Sequence, residues 1–159
     1  MTNTAEDLTK EEKELSCVVI PTVGENLLLP NVSVAEIVPW RRIKTLQDGP
    51  RWCLGFTGWR GLTIPVLHYA GFADADHEVE SARCLVVMNR ARKSDGLPFY
   101  AYAAQSLPYM VQLGEEDLEG EAQTLGPADV MKVSLGQTSA TIPDLEFVES
   151  KVKELHSEH

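Results

Sequence analysis

The side chains best suited to chemistry are scattered along this chain, and their surroundings argue against a catalytic centre. Two acidic clusters could pair carboxylates for general acid–base work: Asp74, Asp76, Glu78 and Glu80, and then the stretch 114–121 with five acids in eight residues. Such work needs a pKa shifted by burial or by a close like charge inside a cleft. Neither cluster has apolar residues around it, so both read as solvated loops. His68 follows an apolar run and precedes Tyr69, and reads as a packed or surface histidine rather than a base. Serine, histidine and aspartate occur only as separate singles, and presence alone makes no triad. Cys17, Cys53 and Cys84 are odd in number, widely spaced and set among strand-like apolar residues, which predicts reduced, buried thiols acting as small hydrophobes. A metal site needs Cys or His paired a few residues apart. His68 and His77 are too distant, and His156 and His159 sit at the C-terminus. No glycine-rich loop opens a helix as a phosphate cradle would. The sequence therefore predicts no catalytic residue, no metal and no cofactor.

One stretch carries more information: Gly55-Phe56-Thr57-Gly58-Trp59-Arg60-Gly61-Leu62-Thr63-Ile64-Pro65-Val66-Leu67. It reads as two apolar runs joined by Gly58-Trp59-Arg60-Gly61, with glycines supplying the positive φ a tight hairpin requires. An ordinary turn prefers small polar residues. A hairpin presenting Trp59 and Arg60 at its tip reads as a contact surface, since both residue types dominate binding hot spots.

Around this hairpin, composition bounds the rest. A chain of 159 residues buries about 70% of its unfolded surface, enough for a core without staples. The net charge of −10 disfavours nucleic acid and anionic membranes, which need a dense positive field. No apolar stretch is long enough to span a membrane, and the polar, acidic start of the chain is no secretory signal. The expected location is the cytoplasm.

Residues 1–14 read as a flexible acidic tail. Val18–Ile20 and Leu27–Leu29 form a first hairpin, and Pro30-Asn31 ends it. Val32, Val34, Ala35, Ile37 and Val38 suggest a short central helix that Pro39 must stop. Arg41–Lys44 suggests another strand, and Gln47–Pro50 a loop. After a polar connector at 71–83, Cys84–Met88 and Phe99–Ala103 flank a basic turn with Arg90, Arg92 and Lys93. Tyr109–Leu113 is a strand, and Val130–Leu135 and Ser139–Ile142 are two more around Gly136-Gln137. From Asp144, the spacing of Leu145, Val148, Val152 and Leu155 is helical, with Glu149 and Lys153 paired at i,i+4. Many short strands with one central and one terminal helix predict a mainly β fold of two small antiparallel barrel lobes. The predicted bounds are about 15–70 and 81–142 for the lobes and 144–156 for the helix, all in one domain over 15–156. Exposed strand edges on such barrels leave weak self-association open.

Three segments in order resemble the CheW-like family, the adaptor domain of bacterial chemosensory arrays. The hairpin, with Ile64-Pro65-Val66 after it, resembles the family's G-x-x-N-x-R-G-x-x-x-P-V pattern. Leu28 to Ile37 resembles its strand-then-helix segment ending V-x-E-I, and Ala140 to Leu145 its last strand entering the final helix. The resemblance covers roughly residues 15–155. It implies two packed five-stranded β-barrels and no enzymatic activity. The implied partners are a CheA-type histidine kinase and a methyl-accepting chemoreceptor. It also implies that Arg60, with Val34, Glu36 and Gly55, sits at positions of receptor or kinase contact, and Trp59 and Gly58 share that hairpin. For Arg60 a purely structural role, tying the hairpin to the rest of the fold, stands beside the contact role. For Val34 helix-face packing does, and for Gly55 backbone geometry.

Two positions depart from the family pattern: Gly58 stands where Asn is usual, and His68 where an acid is usual. Asn can brace a turn by local hydrogen bonds and Gly cannot. These departures point towards an auxiliary adaptor, such as one of a chemosensory system for type IV pilus motility. The expectation is thus a non-enzymatic, cytoplasmic adaptor coupling chemoreceptors to a CheA-type kinase. The alternative is a small β-barrel that binds a small ligand or single-stranded nucleic acid through Trp, Tyr and Arg.

Overall fold

The computed structural model describes residues 14–75, 82–89, 99–121 and 124–158. The acidic tail at 1–13, the acids Asp76, Glu78 and Glu80, His77, and the basic turn with Arg90, Arg92 and Lys93 lie outside them. The strands are β1 Leu15–Pro21, β2 Asn26–Pro30, β3 Val34–Pro39, β4 Lys44–Thr45, β5 Cys53–Trp59, β6 Leu62–Leu67, β7 Cys84–Met88, β8 Tyr100–Ala104, β9 Tyr109–Leu113, β10 Glu119–Gly120, β11 Asp129–Leu135 and β12 Thr138–Pro143. Helix α1, Leu145–Glu158, follows them.

These strands form two six-stranded sheets, ordered β10-β11-β12-β2-β1-β9 and β3-β7-β8-β6-β5-β4. Neighbours pair antiparallel except β12 beside β2 and β6 beside β8, which are parallel. The expected five-stranded lobes each gain a strand, and the connector at 71–83 does not separate them. Sheet one joins β1 and β2 to β9–β12, and sheet two joins β3–β6 to β7 and β8, so each draws on both sides of that connector.

Side-chain alternation along a strand explains why the apolar runs are continuous. Val18, Ile20, Leu27 and Leu29 pack with Val86, Met88, Tyr100 and Tyr102 in a central core between the sheets. Their neighbours turn the other way. Cys17, Val19 and Leu28 join Val133 and Ala140 inside the curl of sheet one. Leu85, Val87 and Ala101 join Ile64, Val66 and Trp59 inside the curl of sheet two. Strands buried on both faces need apolar residues at nearly every position.

The helix forms as its spacing predicts. Asp144 caps it, its Oδ1 accepting from the Phe147 N–H at 3.1 Å. Val148 and Val152 reach the central core, and Leu155 is buried too. Glu149, predicted to pair with Lys153, is itself buried.

The predicted central helix is absent. Asn31–Ser33 makes one 3-10 turn, and Val34–Pro39 is strand β3, paired with Cys84–Met88 of β7. Val34, Ile37 and Val38 are β-branched and favour a strand, and the β7 backbone supplies the hydrogen bonds that settle it.

All three cysteines are free and buried. Burial pushes the Cys53 thiol up to about 11 from 9.0, against a weaker opposing hydrogen bond with the Gly55 backbone. A thiol held neutral by the fold stabilises fully below its unfolded pKa, and that stability is lost as pH rises through the folded value. Stability should therefore fall between about pH 9 and 11, and less steeply in Cys53→Ala, as denaturant midpoints across that range would show.

Candidate protein-interaction site

Strands β5 and β6 pair up to Trp59 opposite Leu62, leaving Arg60 and Gly61 as a two-residue turn. Both are left-handed, at φ +47° and +77°, the backbone that matches strand twist in the tightest hairpins. Gly61 takes this freely, whereas Arg60 is strained by about 1 kcal/mol or more. The tip is therefore shorter than the predicted Gly58–Gly61, because Gly58 lies within β5 opposite Thr63.

Trp59 is not presented at the tip. Its position on β5 points inward, leaving it 5% exposed, with its ring 5.0 Å from that of Phe99. Its Nε1–H donates to Glu36 Oε1 at 3.1 Å. The same oxygen pairs with Arg60 Nη2 at 2.9 Å. The guanidinium also lies over the Trp59 ring, 4.8 Å from its centre, a cation–π arrangement. Arg60 nonetheless keeps 67% of its side chain exposed. Of the predicted residues the fold thus brings Trp59, Arg60 and Glu36 into one cluster, held from below and open above.

The remaining predicted residues have other places. Val34 is half-buried against the central core, opposite Met88 on β7. Gly55 has φ +151°, and a Cβ there would sit 2.1 Å from the Lys44 carbonyl oxygen; it sets how closely β4 approaches β5. Gly58 is exposed, a Cβ there would meet the Leu62 carbonyl oxygen at an ordinary 4.0 Å, and its carbonyl accepts from Arg41 Nη1 at 2.8 Å. Arg41 thus braces the hairpin at Gly58. His68 is buried at the end of β6 remote from the tip, its backbone N–H donating to the Trp52 carbonyl at 2.8 Å. Sequence reasoning missed three exposed apolar residues, Val32, Ile37 and Leu62. Ile37 would have stood out had 34–39 been read as a strand.

Among the described residues no group of His, Cys, Asp or Glu could hold a metal, and no helix is long and apolar enough to cross a membrane. A model of the CheW-like domain matches residues 16–148. The chain belongs to the CheW-like domain family. That family is one of chemotaxis scaffolds and adaptors. Among solved structures, scaffolding protein TtCheW from Thermoanaerobacter tengcongensis is similar, with a TM-score of 0.64 and 14% identity over 81% of this chain and 83% of that one. At such identity the likeness shows a CheW-like fold. No curated protein sequence matches.

The Glu36 cluster has a measurable signature. Glu36→Gln keeps an acceptor for the indole and loses an exposed ion pair, so stability should fall by less than about 1 kcal/mol. Glu36→Ala leaves the Trp59 N–H unpaired and should cost about 1–3 kcal/mol. Gly55→Ala forces β4 off β5 and should cost roughly 2–4 kcal/mol. Urea unfolding of the three variants would rank them.

Proposed function

We propose that this chain is a non-enzymatic adaptor that couples a chemoreceptor to a CheA-type histidine kinase through protein–protein contacts. The reading is carried by Arg60, a mostly exposed guanidinium fixed on a strained two-residue turn by Glu36 and Trp59. One of its five N–H donors is shown engaged by Glu36, leaving others to meet a carboxylate of a partner. Because the turn and the ion pair already restrict the side chain, less freedom is lost on binding. Leu62, beside the turn on β6, is exposed and adds apolar area of the kind that surrounds a hot spot. Glu36 contributes by tying β3 to the hairpin, Val34 by seating β3 on the central core, and Gly58 by anchoring Arg41. A barrel that stacks single-stranded nucleic acid needs exposed aromatics on a positive groove; Trp59 is buried, Tyr109 is exposed, and the net charge of −10 disfavours that alternative.

The test uses purified kinase and receptor signalling fragments from the bacterium that supplies this chain. Wild-type protein should bind at least one of them, Arg60→Ala more weakly, and Arg60→Glu at least about tenfold more weakly, since a reversed charge sets two carboxylates against each other. Equal binding by all three folded proteins would rule out the Arg60 surface, and binding of neither fragment would rule out the adaptor role.

A further inference from the structure

The chain is strongly acidic, yet residues 40–60 carry Arg41, Arg42, Lys44, Arg51 and Arg60 against Asp48 alone, a local balance of +4 within a total of −10. Three of these cations sit on one strap, residues 40–45, that crosses the flank of β5. Trp40 and Ile43 turn inward and pack against the core of sheet two, which leaves Arg41, Arg42 and Lys44 exposed. The strap is held along its length. The Trp40 N–H donates to the Arg83 carbonyl at 3.1 Å, Thr57 Oγ1 donates to the Arg42 carbonyl at 3.3 Å, and Lys44 and Thr45 pair with Phe56 and Gly55. The missing Cβ of Gly55 is what lets the Lys44 backbone come so close. Arg41 is fixed at the other end by its bond to the Gly58 carbonyl, two residues from Arg60.

Two features of this rim point to one kind of ligand. Among the described residues no carboxylate pairs with Arg41, Arg42 or Lys44. In addition, β4, two residues long, is the last strand of its sheet, with no described strand beyond it, a place where an extended segment can pair. We propose that the strap and β4 form a second interaction surface, which takes an extended, carboxylate-rich polypeptide segment. Long polyanions such as nucleic acid or an anionic membrane would overrun the rim and meet the acidic remainder of the surface. A short acidic segment stays within it. Exposed ion pairs are individually weak and screened by salt, so binding through this rim is salt-dependent and reversible. The proposal is independent of the adaptor reading: it concerns Arg42 and Lys44, and that reading concerns Arg60.

The test titrates full-length protein with a short oligoglutamate peptide, a single-stranded oligonucleotide and phosphatidylglycerol vesicles, at low and high salt, followed by amide chemical shifts. The peptide should shift amides of 40–45 and 54–58, bind about tenfold more weakly to Arg42→Glu/Lys44→Glu, bind to an intermediate degree to Arg42→Gln/Lys44→Gln, and be released by salt. Arg60→Ala should leave the rim shifts in place, which separates this surface from the hairpin. Equal peptide binding by the doubly reversed variant would overturn the proposal. So would a preference for the oligonucleotide or vesicles, or the same shifts appearing on raising protein concentration without peptide.

Discussion

A buried indole must find an acceptor for its N–H, and that requirement organises sheet two. Trp59 sits on β5 near one end of the strand order, and Glu36 sits on β3 at the other end. Their hydrogen bond therefore joins the two ends and closes the curl around the core of Ile64, Val66, Leu85 and Val87. Since the acceptor is a carboxylate, the closure also creates a charge at the rim, and Arg60 answers it. The most exposed cation of the hairpin is thus placed by a demand of the core beneath it. A surface residue tied to interior packing in this way has fewer arrangements open to it.

Alternation does the corresponding work elsewhere. Strands β1, β2, β7 and β8 send successive side chains to two different cores, so little room is left on them for charge. Acidic residues collect in the segment after β9, while on the strap before β5 only Trp40 and Ile43 turn to the core and backbone bonds hold the rest, which leaves its cations at the surface. A fold specified by this pattern tolerates wide substitution so long as volume and alternation are kept, consistent with the likeness to TtCheW at 14% identity.

Most of this was legible in the sequence. The hairpins of β1–β2, β5–β6, β7–β8 and β11–β12 announce themselves by apolar runs and turn residues, and α1 by its period and by Asp144. Where the reading failed, long-range contact outweighed local pattern. Val34–Pro39 has apolar spacing that suits a helix, but β7 was available to pair with it. Trp59 looked like a tip residue because only three-dimensional placement shows that the turn begins after it. The division into consecutive lobes failed for the same reason: no local signal tells β2 that its second neighbour is β12, or β6 that its second neighbour is β8. The Arg60 motif was found by type and resemblance, while its pairing with Glu36 depended on a contact between residues far apart in the chain.

The interleaving of the sheets bears on how the chain is made. The β1–β2 hairpin leaves the ribosome ahead of the other described strands, but β9 and β12, which flank it, come much later. Until they arrive, Val18, Val19, Ile20 and Leu27–Leu29 have no complete core on either side. Domains generally fold as units, and long-range pairings form slowly. Sheet one therefore cannot complete until β9–β12 have been translated, and the β1–β2 hairpin waits until then for the cover of its apolar side chains.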